Sequence, residues 1–484
     1  MDSKSIIRSL SEPTLTLDEL KVIDTQYGSN GDVPKANRSL EAVTVDCPYV
    51  VIKEHEFGVK EIVSFEIDTT QFIPTVSMRI DLGASGAFLS TAFPTDGDLL
   101  SVFIRGRDDI FKPIRNDYLI TSIEMTKSDT PDGAGGKLFL QGKLHIPGLY
   151  DEKSFAKKGT SFEVLKEIAT ELKLGFASNI SSTNDSMTWI CPNETKEEYI
   201  KKIVDCAWQD EKCFFTAFID VYYHLNFINV NTQFGDETGA LLGMSDNVFS
   251  SYNDTLPHTT EGLQKLLSNH PSFITTSFYI QTFKPLNKSS EIAKNYGYTY
   301  NLNFFEHNSL KNWEFPITPL VTEGNEKTKV LLKGRPKEEF YKSQQRFNYL
   351  GIQYSAPDHN VHEHYYLAKA HNMMNLAEID KMNLSVTTPK MNLNFVRFEK
   401  MPVIMAILSD EQRANKVDDD LIKDPSLENR EGRVVIDKLY TGMYAIKGYT
   451  INYKLTPRSI ENTNSNITQT FILTRREWPS LTGV

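Results

Sequence analysis

The residues whose types and spacing come nearest to chemistry are histidines. His359, His362, Glu363, His364 and His371 gather around the start of a helix predicted over His362–Leu376. Imidazoles at that density could ligate zinc. A zinc-hydrolase helix needs two His four apart with Glu after the first, which puts both rings on one face and the carboxylate beside bound water. His362-Glu363-His364 breaks that geometry. His364 and His371 are seven apart and would share a face, but no third ligand follows them. Polar helix-face histidines are the plainer reading, and no metal is expected. The four cysteines, Cys47, Cys191, Cys206 and Cys213, show no CxxC spacing and are too few for a disulfide framework. They read as buried, reduced thiols.

Other candidate chemistry also gives way to structural readings. Gly133-Ala134-Gly135-Gly136-Lys137 resembles a phosphate loop only on the surface. The four-residue spacer and the Ser/Thr after Lys are missing, and the run lies between strands, so a hairpin turn is expected there. Asp418-Asp419-Asp420 lacks the Gly and the closing Glu of a calcium loop and reads as a solvated loop within Ser409–Arg433. Tyr296, Tyr298, Tyr300, Leu302 and Phe304 alternate along one strand face. Such a stripe can stack sugars, but it more often faces a core or an interface. The Gly-x-Ser-x-Gly elbow of a serine hydrolase does not occur. The expectation is therefore no catalytic residue, no cofactor-binding residue and no metal ligand.

The elements that would position these residues come from a chain of 484 residues with net charge −11, long enough for two to four domains. Aromatic residues make up 11% of it, and Val, Ile, Thr and Tyr runs favour β structure. The acidic balance argues against a surface that coats nucleic acid. Met1–Leu10 lacks the apolar centre of a signal peptide, and Met401–Leu408, the longest apolar run, is far too short to span a bilayer. A soluble cytosolic product is expected, in which Asn253 and Asn466 carry no glycan.

In chain order, residues 1–42 read as a polar N-terminal arm. Residues 43–150 supply strands at Val43–Ile52, Glu61–Ile67, Thr75–Leu82, Leu99–Ile104, Tyr118–Met125 and Lys137–Ile146, spaced as in an antiparallel sandwich or barrel. Residues 151–231 carry the clearest local signals. Thr160-Ser161-Phe162-Glu163 is a capping box, and Phe162, Leu165, Ile168, Ala169 and Leu172 form an apolar helix stripe. Asn193 and Thr195 compete to cap a second helix, with Glu198 placed to complete a box with Thr195, and its stripe is Ile200, Ile203, Val204 and Ala207. Two strands around Asp220-Val221 complete an α/β module. Residues 232–340 read as an inserted domain, with a helix at Thr260–Leu267 and strands at Phe273–Phe283 and Tyr296–Phe305. Residues 341–484 read as a second barrel, with strands at Tyr349–Tyr354, Met382–Val386, Asn392–Phe398, Val403–Leu408, Val434–Leu439, Tyr444–Lys454 and Thr468–Arg475. The fold class is mainly β with α+β parts: two tube-like antiparallel β-barrels joined by the α/β module and the inserted domain.

Ile73-Pro74-Thr75-Val76-Ser77-Met78-Arg79-Ile80-Asp81, followed by Pro94-Thr95-Asp96-Gly97-Asp98-Leu99-Leu100-Ser101-Val102, resembles the first barrel of baseplate hub proteins. That family serves contractile-tailed bacteriophages and is related to the valine-glycine-repeat spike proteins of type VI secretion. Trp189-Ile190-Cys191-Pro192-Asn193 between two helices is similar to the hub's connecting domain. Tyr440–Ile446 and Phe471–Arg476 resemble closing strands of a second barrel. The likeness spans about residues 45–475, with residues 232–340 matching poorly. It implies a structural virion protein without catalysis or cofactor: a homotrimer with the tail tube protein above, the spike protein below and other baseplate proteins around it. DNA would pass through the lumen without specific binding. A host-surface carbohydrate-binding protein or hydrolase of the tail is the alternative, which would use the aromatic strands and a carboxylate pair.

Overall fold

A computed structural model describes residues 46–52, 55–57, 61–83, 93–95, 97–105, 114–130, 133–234, 248–250, 277–287, 299–306, 311–317, 344–348, 361–379, 382–388, 397–398, 400–408, 434–436, 440, 442–455 and 465–474. Seven strands come first: β1 Asp46–Ile52, β2 His55–Phe57, β3 Ile62–Asp68, β4 Thr75–Gly83, β5 Leu99–Arg105, β6 Ile114–Thr130 and β7 Gly133–Leu144. Val76, Met78, Ile80 and Leu82 of β4 alternate inward, as do Leu138 and Leu140 of β7, so each strand buries one face. The glycine run at Gly133–Lys137 is the opening of β7 and not a turn: Gly133, Ala134, Gly135 and Gly136 pair with Thr130, Asp129, Ser128 and Lys127.

The module follows, with β8 Glu152–Gly159, α1 Ser161–Glu171, β9 Gly175–Ser178, β10 Met187–Thr195, α2 Lys196–Asp205, β11 Phe215–Ile219, β12 His224–Asn229 and the short α3 Val230–Phe234. Both predicted capping boxes form, Thr160 with Glu163 and Thr195 with Glu198. β12 lies between β11 and β9 and is buried along its whole length. One face of this sheet presents Phe215 and Phe227 to the helices. The other presents Phe214, Phe218 and Ile228 to Ile379, Phe398 and Ala445 from the far end of the chain.

The remainder contains β13 Val248–Ser250, β14 Ser277–Tyr279, β15 Thr282–Asn287, β16 Thr299–Glu306, β17 Lys311–Ile317, β18 Gln344–Asn348 and α4 Tyr365–Ile379. It ends with β19 Met382–Thr388, β20 Lys400–Ile404, β21 Ala406–Leu408, β22 Val434–Ile436, β23 Gly442–Leu455 and β24 Ser465–Thr474. β16, β17 and β18 form a separate sheet, and β21 pairs only with β22. Within the stretch read as an inserted domain, β13 pairs with β20 and β15 with β19 of the last region, and β14 pairs with β13. The helix at 260–267 and the strand at 349–354 lie outside the described residues, as do residues 392–396; Arg397 and Phe398 form a turn.

The fold is mainly β with α+β parts, but the two barrels do not stand as separate closed rings. Among the described residues no ladder closes either set, and both sets belong to one 14-stranded sheet joined where β3 pairs with β23. Within that sheet one order is used twice. The first set runs β3-β4-β7-β6-β5-β1-β2 and the second β15-β19-β24-β23-β20-β13-β14. Numbering each set's strands from one to seven in chain order gives 3-4-7-6-5-1-2 both times. The sets differ in the direction of one strand: β1 is antiparallel to its neighbours, whereas β13 is parallel to both of its own.

Candidate assembly interface

His362, His364 and His371 serve packing. His362 Nε2 lies 2.9 Å from the Cys206 carbonyl oxygen, and its ring lies against Trp189 and Tyr365. Trp208 takes His364 stacked at 4.8 Å and His371 edge-on at 5.6 Å. Burial pushes the pKa values of His362 and His371 below the ordinary value, which favours neutral rings. Among the described residues no group of three His, Cys, Asp or Glu side chains is gathered as a metal site; His359 lies outside them. Cys191, Cys206 and Cys213 are free and buried. Burial pushes the thiols of Cys206 and Cys213 up to about 12, far from a reactive thiolate. Asp418–Asp420 and Tyr296–Tyr298 lie outside the described residues.

What the histidine helix does is dock α4 on the module. Asn372 Nδ2 donates to the carbonyls of Val204, Asp205 and Ala207 at 2.9–3.2 Å, at the C-terminal end of α2. Its Oδ1 accepts from the Phe215 amide at 3.1 Å. One amide thus ties α4, α2 and β11 together.

The densest long-range polar site lies at the seam between the two sets. Thr69 donates from both N and Oγ1 to the Tyr449 carbonyl, at 3.0 and 2.7 Å, and Tyr449 N donates back to Thr69 Oγ1 at 3.1 Å. Arg397 reaches the same seam from the turn before β20. Its Nε donates to Lys447 O at 2.6 Å, Nη1 to Thr69 O at 3.1 Å and Gln71 O at 2.8 Å, and Nη2 to Thr70 O at 3.3 Å. The guanidinium lies 4.1 Å from the centroid of the Phe218 ring of β11. Burial pulls its pKa down to about 10, with Asp68 opposing, so it stays cationic at neutral pH. Arg397 therefore holds the β3–β4 turn, β23 and the module at one point. Nothing in the sequence marks it, because its partners lie up to 328 residues away.

The seam itself is an antiparallel ladder, Asp68–Ser64 against Thr450–Lys454. Phe65 stacks on Tyr453 with ring centroids 5.1 Å apart. It forms because β23 outruns β20. β20 pairs with β23 only through Ala445, a bulge follows at Lys447, and the edge beyond is taken by β3. β6 is built the same way. β5 pairs with it through Leu119, and the bulge falls at Thr121, again two residues on.

The fold thus defines a class: a mainly β protein that uses one seven-strand order twice and joins the copies edge to edge over an α/β module. No family model and no curated protein matches the chain. Solved structures to which it is similar include the tail protein from Neisseria meningitidis MC58, at 10% identity over 89% of this chain and 96% of that one, with a TM-score of 0.46. The prophage MuSo2 43 kDa tail protein from Shewanella oneidensis is 8% identical over 90% and 98%, with a TM-score of 0.45. The Francisella PdpA-VgrG complex, lidded, is 10% identical over 96% and 60%, with a TM-score of 0.40. By name these neighbours are tail proteins and a PdpA-VgrG complex, and their identities are too low to show membership of a family.

Proposed function

We propose that the chain is a structural baseplate or tail hub of a virion that assembles as a homotrimer, adapting a six-fold tail tube above to a three-fold spike below. The observation that carries the reading is the repeated strand order within one chain, joined through β3 and β23. Two like sets per chain give a trimer six quasi-equivalent units toward the tube and three-fold symmetry toward the spike. The ring closes by heterologous contacts, the first set of one chain against the second set of the next. Obligate contacts of this kind bury about 2,000 Å² or more per pair. The net charge of −11 fits a lumen past which DNA slides without being gripped. Assembly takes place in the host cytoplasm, among other baseplate proteins, and the chain carries no reaction of its own. Among the described residues no helix is long and apolar enough to cross a membrane.

A solution mass of the purified chain by light scattering tests this reading, together with an image of the assembled particle. Three copies per ring are expected. A monomer in solution and a single copy in the particle would overturn it.

A further inference from the structure

The ladders allow the two sets to be aligned residue by residue. In the first, one row runs Leu99, Leu119, Lys143, Thr75, Asp68 across β5, β6, β7, β4 and β3. In the second, the matching row runs Lys400, Ala445, Thr474, Asn383, Leu286 across β20, β23, β24, β19 and β15. Asp68 therefore corresponds to Leu286, and Phe65 to Phe283. On the other side of the seam, Thr450 lies five residues beyond Ala445 and corresponds to Glu124, five beyond Leu119.

The seam uses β3 of the first set and β23 of the second. The alignment gives each a counterpart, β15 in place of β3 and β6 in place of β23. Among the described residues neither counterpart edge carries a ladder: β15 pairs with β19 alone, and β6 has β7 on one edge and β5 only through Leu119 on the other. Phe65 is 2% exposed beneath Tyr453, whereas Phe283, at the same position of β15, is 41% exposed. Phe283 is one of two large hydrophobic side chains exposed among the described residues. Its ring touches Tyr440 on one side. Thr282 and Lys284 beside it are exposed, as are Glu124 and Thr126 on β6, with Met125 half-buried between them.

We infer that β15 of one copy pairs antiparallel with β6 of a second copy of this chain, repeating between molecules the ladder that β3 and β23 make within one. The register is fixed by the alignment: Leu286 opposite Glu124, Pro285 opposite Met125, Lys284 opposite Thr126, Phe283 opposite Lys127 and Thr282 opposite Ser128. Exposed edges attract unpaired strands, and two edges with complementary positions on one chain cannot both be satisfied except head to tail. Pro285 has no backbone donor, so this ladder carries one hydrogen bond fewer than a strand without proline could make. This inference rests on the ring reading above and names the strands that would close it.

The test is a pair of cysteines, Glu124→Cys with Leu286→Cys, in the full-length chain under mild oxidation. Residues directly opposite across antiparallel strands hold their Cβ atoms within reach of a disulfide. The native chain and the pair Glu124→Cys with Lys284→Cys, displaced by two residues, are the controls. The expected result is conversion of most chains to cross-linked rings by the matched pair, with a marked loss of product in the displaced pair. Phe283→Asp on an exposed edge is expected to leave the fold intact, by circular dichroism, and to shift the assembly toward monomer. A trimeric mass with no cross-link in the matched pair overturns the strand pairing and leaves the ring reading standing. A disulfide within one chain also overturns it, since β15 would then lie against its own β6. A chain that stays monomeric at every concentration removes both.

Discussion

Gly448 approaches Thr70 so closely that a Cβ on the glycine would sit 2.8 Å from the Thr70 Cα. Gly448 follows the β23 bulge and Thr70 heads the β3–β4 turn, so this contact sets how near the two seven-strand sets can come. The obstacle is backbone, which cannot swing aside as a side chain would. Gly448→Ala is expected to destabilise the chain by about 1–3 kcal/mol through overpacking. Denaturant unfolding measures it, and Ala at solvent-exposed Thr121 on the matching β6 bulge, as the control, should cost far less.

Arg397 puts a half-buried charge over four carbonyls at the same seam. Arg397→Met keeps the length of the side chain and removes every donor, leaving Lys447, Thr69, Thr70 and Gln71 carbonyls without it. A loss of about 3–5 kcal/mol is expected. Arg397→Lys should recover only part, because one ammonium cannot reach acceptors spread across a planar fork. Equal stability of the Met variant and the native chain in urea would remove Arg397 from this role.

Asn372 carries the docking of α4. Asn372→Ala frees three carbonyls at the end of α2 and the Phe215 amide, at an expected cost of about 2–3 kcal/mol. Asn372→Asp should cost more, since it replaces the donor with a carboxylate oxygen facing carbonyl oxygens. Hydrogen exchange would find the loss first at α4 and the last turn of α2 if the helix undocks locally.

His362 and His371 predict the direction of one pH effect. Their folded pKa values lie below the ordinary 6.5 because burial disfavours the charged ring. Below about 6.5 the unfolded chain binds the extra protons first, so these histidines leave stability fully present above that pH and lower it as pH falls toward their folded values. The double variant His362→Gln with His371→Gln should flatten the fall of unfolding free energy between pH 7 and pH 5, relative to the native chain, measured at fixed ionic strength.

Zinc binding should be sub-stoichiometric and without effect on folding. The His362 ring nitrogen faces a carbonyl, and the rings of His364 and His371 are spent on Trp208. Elemental analysis of protein exchanged into zinc and washed, with melting followed in chelator, checks this. One zinc per chain with a chelator-sensitive melt would show that the rings re-orient to a metal.

Much of the fold is legible in the order of residues. Alternation in Val76, Met78, Ile80 and Leu82 announces a one-face-buried strand, and Thr160 with Glu163 announces a helix start, because both signals depend on neighbours a few positions away. Signals weaken where the partner is distant. β8 is only two-stranded with β10 and mostly exposed, so Glu152–Gly159 carries no apolar run to betray a strand. The strands at Val248–Ser250 and Ser277–Asn287 are legible at best as strands. Their membership of the second set rests on β20 and β19, which lie far along the chain.

The sequence by itself determined the β-rich class, the capped helices of the module and the absence of a spaced catalytic or metal-binding motif, since each depends on local chemistry. Only the tertiary structure decided that the two β regions share one strand order and one sheet, and that Arg397 stands where they meet. Strand order is a property of which edges meet after the chain has closed long loops. The hydrogen bonds that choose those edges run between backbone groups that every residue carries, so side-chain type records them only weakly.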